Sequence, residues 1–425
     1  MTFIIYTLGC KVNSCESAAI NDSMLAAGFE IVPDGEVADI AVINSCAVTS
    51  MSVKKARQLV SRCKKDNPEG ITVLCGCFPQ SYPEDASQTD ADMIIGNGAK
   101  SYIPFLLNEY LEKPEKRVYI NPLPREFDMK CAGADIDRTR AFIKVEDGCD
   151  RFCAYCIIPV ARGRVRSMPI KEITKQAQLA AKSGNKEVVL TGINLSCYGQ
   201  ELGLTLGDAV KAADVDGIER IRLGSLEPDM MTDEEIAKLR EVRKLCPHFH
   251  LSLQSGSDEV LVRMRRRYDT AQYLEVCEKL RANFPGCSII TDIMVGFTGE
   301  TEEEFLESME FAKKVGFAKI HVFPYSIRKG TLAAMRSEQV LPHIKSDRAK
   351  RMGVLAKQLE EQYLKSQIGT EHTVLIEKPQ SDEYSNGYTE SYISAKIYGK
   401  QIERHSLVKV RLTDACADHC TAELI

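Results

Sequence analysis

Short apolar runs alternating with helix-patterned segments occupy most of this 425-residue chain and limit what it can fold into. TFIIYT (2–7), DIAVINS (39–45) and ITVLCG (71–76) are each followed by a segment of helical periodicity, the first being ESAAINDSMLAAG (16–28), which closes on a glycine. Strands separated by helices form a parallel sheet covered on both faces. This predicts an α/β class fold with a parallel α/β domain over 1–115. Residues 116–139 lack periodicity and hold Pro122 and Pro124, so they read as a linker.

The alternation resumes at 140. FIKVE (142–146), EVVLTG (187–192), IERIRLGS (218–225), HFHLSLQ (248–254), SIITDIMV (288–295) and AKIHVFPYS (318–326) are strand candidates with helical patterns between them. Six units are too few for a closed eight-stranded barrel. They predict an open, partial (β/α)6 barrel over 140–367, ending in a helix at about 344–366. Residues 368–425 change character to short β-rich runs, TVLIE, GYTESYISAKIY and LVKVRL, and predict a small all-β domain.

The first residues have no basic n-region, and no run approaches the roughly 18 apolar residues of a membrane span. The expectation is a cytoplasmic protein with no membrane partner. Thiols stay reduced there, so the 16 cysteines read as metal ligands or small core residues rather than disulfides. A net charge of −5 argues against a globally basic nucleic-acid binder, while leaving room for local patches.

DGCDRFCAYCIIP (147–159) sets Cys149, Cys153 and Cys156 directly after the first barrel strand, at the strand ends where barrel chemistry is found. Three thiolates leave a tetrahedral zinc one ligand short. A four-iron cubane, usually held by four cysteines, would keep one iron open. Cys10, Cys46 and Cys77 form a second set, each just past the end of a strand in the first domain. In a parallel sheet such loops crowd into one crevice, so these thiols are expected to converge. Gly9 and Gly76 are expected to let backbone approach a bulky group there. Cys15, Cys63 and Cys75 fall within helix or strand patterns and read as packing residues.

Cys149, Cys153 and Cys156, with Tyr155 before the third, resemble the signature of radical S-adenosylmethionine enzymes. TLGCKVN (7–13), INSCAVT (43–49) and CGCFPQ (75–80) resemble the N-terminal domain of the methylthiotransferases, a subgroup of that family. The resemblance covers nearly the whole chain, and its last segment is similar to the TRAM nucleic-acid-binding module. It implies two [4Fe-4S] clusters, one held by Cys149, Cys153 and Cys156 and an auxiliary one by Cys10, Cys46 and Cys77. It further implies S-adenosylmethionine as both methyl donor and radical source, with a methylthio group delivered to adenine C2. TLGCKVN resembles the branch acting on threonylcarbamoyladenosine at position 37 of tRNA. The implied partners are tRNA, an electron donor such as flavodoxin or ferredoxin, and a sulfur source. Methylthiolation of isopentenyladenosine or of a ribosomal-protein side chain remains an alternative, as does a two-cluster electron-transfer protein. Against the last stands the lack of an evident fourth cysteine beside either triplet.

Gln254 and Ser255 (in LQSGS) and Asp292 (in TDIMVGF) are similar to family segments flanking the S-adenosylmethionine site, which Tyr155 joins. LTGINLS (190–196) lacks the GGE word that grips the cofactor amino group in many radical enzymes, so Asn194 is the expected substitute. Arg266 is expected to hold the cofactor carboxylate by a two-pronged contact, and the role of Glu227 is open. Arg162, Arg164 and Arg166, at period two, and Arg265 and Arg267 are expected to meet RNA phosphates. Residues 371–425 carry six Lys or Arg against nine Asp or Glu, which puts a strong RNA grip by that segment in doubt.

Overall fold

The computed structural model describes residues 1–33, 35–128, 134–135, 138–377, 383–399 and 401–425. Its first sheet is wholly parallel, in the order β2-β1-β3-β4-β5-β6: β1 (Thr2–Thr7), β2 (Glu30–Ile31), β3 (Ile40–Ser45), β4 (Ile71–Gly76), β5 (Met93–Gly96) and β6 (Arg117–Tyr119). Strand residues alternate between two cores, as the two-residue period requires. Val42, Val73 and Met93 pack with Ile20 and Met24 of helix α1 (Lys11–Ala26). Ile43, Leu74 and Ile94 pack with Ala56 and Val60 of helix α2 (Ser50–Asp66) on the other face. Arg117–Tyr119 falls inside the stretch expected to be linker, yet it pairs with β5 as the sixth strand. Three residues are too short a run to show periodicity.

The second unit is an open barrel of two four-stranded sheets, β7-β8-β11-β12 and β13-β14-β15-β16. Its strands are β7 (Ala134–Asp135), β8 (Arg140–Lys144), β11 (Glu187–Thr191), β12 (Arg220–Leu223), β13 (Ser225–Leu226), β14 (His248–Leu251), β15 (Ser288–Val295) and β16 (Lys319–Pro324), while β9 (Glu146–Asp147) and β10 (Arg166–Ser167) form a small ribbon at its rim. All but β7 pair in parallel within these sheets, so the expected six-unit partial barrel is what forms. The run expected as one strand over 218–225 splits at Gly224 into β12 and β13, which belong to different sheets. The exit helix spans Pro342–Ser366.

The last unit is a closed five-stranded barrel of β17 (Glu371–Ile376), β18 (Tyr384–Thr389), β19 (Ser394–Tyr398), β20 (Leu407–Ala415) and β21 (Cys420–Leu424). It docks on the side of the large barrel where strands begin. The Arg220 guanidinium donates to the Tyr388 carbonyl at 3.1 Å and Arg222 to the Glu390 carbonyl at 2.9 Å. Ser288 Oγ donates to the Ser391 carbonyl at 2.6 Å. The net-acidic domain therefore sits opposite the cysteine loop, which follows the other end of β8. No helix among the described residues is long and apolar enough to cross a membrane.

Candidate active site: two cysteine triplets at a domain junction

Register places the first triplet. Thr7 pairs with Asn44, Asn44 with Cys75 and Ser45 with Gly76, so β1, β3 and β4 end side by side. Their loops then carry Cys10, Cys46 and Cys77. A Cβ on Gly9 would sit 2.9 Å from the Cys46 Cβ, which shows how closely the first two loops pack. Burial first, and then the neighbouring Cys77 and Cys10, push the Cys46 thiol up to about 11. The two glycines serve loop-on-loop packing at this end of the sheet. Gly76, at φ +101°, would drive a Cβ to 2.7 Å from the Ser45 carbonyl oxygen.

The second triplet lies in the loop between β9 and the short helix Ile158–Arg162. Gly148 (φ +87°) and Phe152 (φ +52°) bend this loop. A Cβ on Gly148 would fall 1.9 Å from the Arg164 carbonyl oxygen, so only glycine fits. Burial raises the Cys149 thiol to about 11 and the Cys156 thiol to about 12, and the thiols add to each other's shift. Donors surround the sulfurs: Asn194 Nδ2 is 3.5 Å from Cys149 Sγ and Arg266 Nη1 is 3.3 Å from Cys153 Sγ. Among the described residues no three side chains converge tightly enough for a single metal ion. A cubane asks for something else, because each cysteine ligates a different iron. Half-buried thiols such as Cys149 and Cys156, raised by desolvation, gain from a cationic cluster that displaces their protons.

The two sites meet at the domain junction. Cys77, Ala47, Ile157 and Ala161 form one buried apolar cluster. Asn97 Nδ2 reaches both Cys77 Sγ (3.5 Å) and the Ala161 carbonyl (2.8 Å), tying the first sheet to the helix that follows Cys156. A cavity of about 590 Å³ opens beside this contact, lined by Val48 and Met51 on one side and Tyr155, Cys156, Gln254 and Asp292 on the other.

Beneath the junction lies a buried charge cluster that sequence reasoning missed. Glu16 accepts from Lys100 (2.5 Å), Lys144 (2.8 Å) and Arg162 (2.7 Å). Asp147 lies 2.8 Å from Lys144, 3.1 Å from Arg162 and 3.2 Å from Arg166. The members come from positions 16 to 166 and share no motif, so only the tertiary fold reveals them.

This cluster corrects two expectations. Arg162 and Arg166 are buried, 1% and 4% exposed, and are consumed by Glu16 and Asp147 rather than free for RNA. The period-two reading fails because Arg162 ends a helix and Gly163 turns the chain at φ +75°. Arg164, exposed and 2.9 Å from Asp150, and the exposed Arg265 and Arg267 remain accessible.

Of the cofactor candidates, Tyr155, Gln254 and Asp292 line the cavity. Gln254 holds φ +69°, bridged by backbone bonds to Asp292 and Met294. Asn194 is buried, with its Oδ1 unpaired beside Cys149, a free acceptor suited to a ligand amine. Ser255 is a correction: it is 1% exposed and its Oγ lies 3.1 Å from Ser308 Oγ, locking its loop to the helix Glu302–Val315 away from the cavity. Arg266 is a second correction. Its terminal nitrogens already meet Glu227, Cys153, Tyr155 and the Ser252 carbonyl, so its fork holds the cysteine loop instead of a free carboxylate site. That also assigns Glu227, as the partner of Arg266.

An open parallel barrel with a three-cysteine loop at the mouth of its first strand defines a radical S-adenosylmethionine protein. The family model described as the radical SAM superfamily matches residues 143–312, and that of uncharacterized protein family UPF0004 matches residues 2–96. The chain is 37% identical to the threonylcarbamoyladenosine tRNA methylthiotransferase MtaB of Thermotoga maritima, covering all of this chain and 98% of that one. It is 36% identical to the protein of the same name from Bacillus subtilis (97% and 94% covered). It is 35% identical to the tRNA-2-methylthio-N(6)-dimethylallyladenosine synthase of Caldicellulosiruptor saccharolyticus (88% and 82% covered). Among solved structures, the radical S-adenosylmethionine methyltransferase TsrM of Kitasatospora setae shares the fold at TM-score 0.57 and 12% identity, over 76% of this chain and 72% of that one. The chain belongs to the radical S-adenosylmethionine methylthiotransferase family.

Proposed function

We propose that this enzyme transfers a methylthio group to C2 of threonylcarbamoyladenosine at position 37 of tRNA. What supports this reading is the junction itself: Cys77 of the first domain packs against Ile157 and Ala161, in the loop and helix that follow Cys156, and beside them Cys156 and the segment that follows Cys46 (48–51) line one cavity, in a chain that aligns end to end with methylthiotransferases of that specificity. Cys149, Cys153 and Cys156 would hold one [4Fe-4S] cluster and Cys10, Cys46 and Cys77 a second. When bound, these clusters and S-adenosylmethionine supply the radical, the methyl group and the site of sulfur transfer.

The chain's own residues do the positioning. Arg266 pins Cys153 and is in turn held by Glu227. Asn194 offers its unpaired Oδ1 to the cofactor amine, and its backbone N–H is fixed by Glu146 Oε2 at 2.7 Å. Met294, Phe323 and Tyr325 give the cavity an apolar wall that keeps water from a reactive intermediate. Arg164, Arg265 and Arg267 are the exposed cations placed to meet tRNA phosphates near the cysteine loop. The chemistry requires a one-electron donor of the flavodoxin or ferredoxin class and a sulfur source as partners.

The test is mass spectrometry of nucleosides from the tRNA of a strain lacking the gene, with and without complementation. A methylthio increment on threonylcarbamoyladenosine, restored by the parent and not by Cys149→Ala, is the expected result. An increment on dimethylallyladenosine instead would reassign the substrate, and an unchanged profile would overturn the tRNA reading.

A further inference from the structure

The inner face of the large barrel is polar. Arg140 pairs in register with Glu187, and Val189 with Arg222, while His248 and His250 lie on the same alternation of β14. The opposite face carries Ile143, Leu190, Ile221 and Phe249 into the helix-covered core. The floor is closed by Tyr392 of the small β-barrel, whose ring lies 4.7 Å from the Arg222 guanidinium and 5.0 Å from the His248 ring. Three of the charges here are matched. Arg222 is 2.7 Å from Glu187, Arg220 is 3.6 Å from Glu187 and 3.5 Å from Glu390, and Arg140 is 2.5 Å from Glu377.

Lys11 is the exception. It is the residue after Cys10 and opens α1. Its ammonium lies 5.6 Å from the centre of the Phe142 ring, on the inner face of β8, within the fields of Arg140, Arg222 and Glu187. It remains accessible and forms no ion pair among the described residues. Among the described residues, the arginines Arg140, Arg220 and Arg222 of this interior have Glu187, Glu377 and Glu390 as partners and Arg138 lies over the same Phe142 ring at 5.7 Å, while Lys11, the side chain next to an auxiliary-site cysteine, has no ion-pair partner. Nearby, His248 is 6% exposed with neither ring nitrogen hydrogen-bonded, an unsatisfied polar group aimed into the same interior.

We propose that Lys11 is a specificity-determining residue that pairs with a free carboxylate on the substituent of the substrate adenosine. The proposal rests on the function read above, since a threonylcarbamoyl group brings one carboxylate to the base that must approach Cys10. A side chain peptide-bonded to that cysteine's residue is within reach of a group on the same base. An uncharged alkyl substituent would leave the ammonium unpaired in a positive field, so the site selects against it.

The reconstituted full-length protein is titrated with anticodon stem–loop RNA bearing threonylcarbamoyladenosine, the same RNA as its threonyl methyl ester, and unmodified RNA, by fluorescence anisotropy at one salt concentration. A charge-assisted contact predicts that the parent binds the acid about ten- to a hundredfold tighter than the ester. Lys11→Met brings that ratio to about one, and Lys11→Arg keeps most of it. Equal affinity of the parent for acid and ester overturns the proposal without any substitution, so a Lys11→Met chain that loses iron does not leave it undecided. Undiminished discrimination by an iron-replete Lys11→Met also overturns it. If the parent discriminates by the carboxylate but methylthiolates a different nucleoside, the reading of function fails. If it methylthiolates threonylcarbamoyladenosine while acid and ester bind alike, only the carboxylate contact fails.

Discussion

Replacing Glu16 with glutamine tests the junction most severely. The carboxylate is 2% exposed and receives Lys100 at 2.5 Å, Lys144 at 2.8 Å and Arg162 at 2.7 Å. Glu16 and Asp147 together face four cations, Lys100, Lys144, Arg162 and Arg166. Glutamine leaves Lys144, Arg162 and Arg166 sharing Asp147 and removes the carboxylate that pairs with Lys100. Breaking a buried pair by removing one partner costs about 3–5 kcal/mol, because the remaining charge stays buried without compensation. The cost falls on the contact between α1 of the first domain and the barrel, so it shifts their docking equilibrium by roughly a hundred- to a few-thousandfold. In calorimetry the lowest-temperature transition should fall by roughly 6–20 °C. Glu69→Gln, an exposed change in the same domain, should leave it in place. The pH dependence has a definite sign. Burial alone would raise the Glu16 carboxyl, but Arg162, Lys100 and Lys144 hold it well below the usual carboxylate range. Its contribution is therefore fully present above about pH 4.3 and is lost as pH falls through the depressed folded value. A Glu16→Gln protein melting within about 2 °C of the parent at pH 7 would refute this account of the junction.

Three further outcomes are expected. Gly148→Ala should abolish iron binding by the Cys149 site while leaving far-ultraviolet circular dichroism near that of the parent, because the new Cβ would meet the Arg164 carbonyl at 1.9 Å. Iron loading of both sites should strengthen with pH between about 6.5 and 8.5, measured by chelator competition, because burial lifts the Cys46 and Cys149 thiols to about 11 and each must lose its proton to bind metal. Arg164→Ala should weaken tRNA binding uniformly across sequences and flatten its salt dependence by about one phosphate contact, whereas the buried Arg166 has no such role and its substitution should act on stability.

The α/β alternation and both cysteine triplets were legible in the sequence because each is local: a strand run, then a loop with its thiol. The six barrel strands could be read as short runs set between helical patterns, except where Gly224 divides one run between two sheets. What escaped is what depends on distant residues. Lys100 and Glu16 are 84 positions apart, and nothing in KSY or CES announces their contact. Arg162 and Arg166 looked like a basic face because charge was counted without knowing that Glu16 of α1 would take the first and Asp147 the second. Ser255 was placed at a strand end and Arg266 in the basic run RMRRRYD, but the direction of each side chain was set by Ser308 and Glu227, which the sequence could not align with them.

Iron content of the anaerobically reconstituted chain bears most directly on the claim of two separate cluster sites. The account predicts about eight irons per parent chain and about four after Cys149→Ala/Cys153→Ala/Cys156→Ala or after Cys10→Ala/Cys46→Ala/Cys77→Ala. A parent that saturates at about four, or a loss of all iron when either set alone is removed, would contradict it.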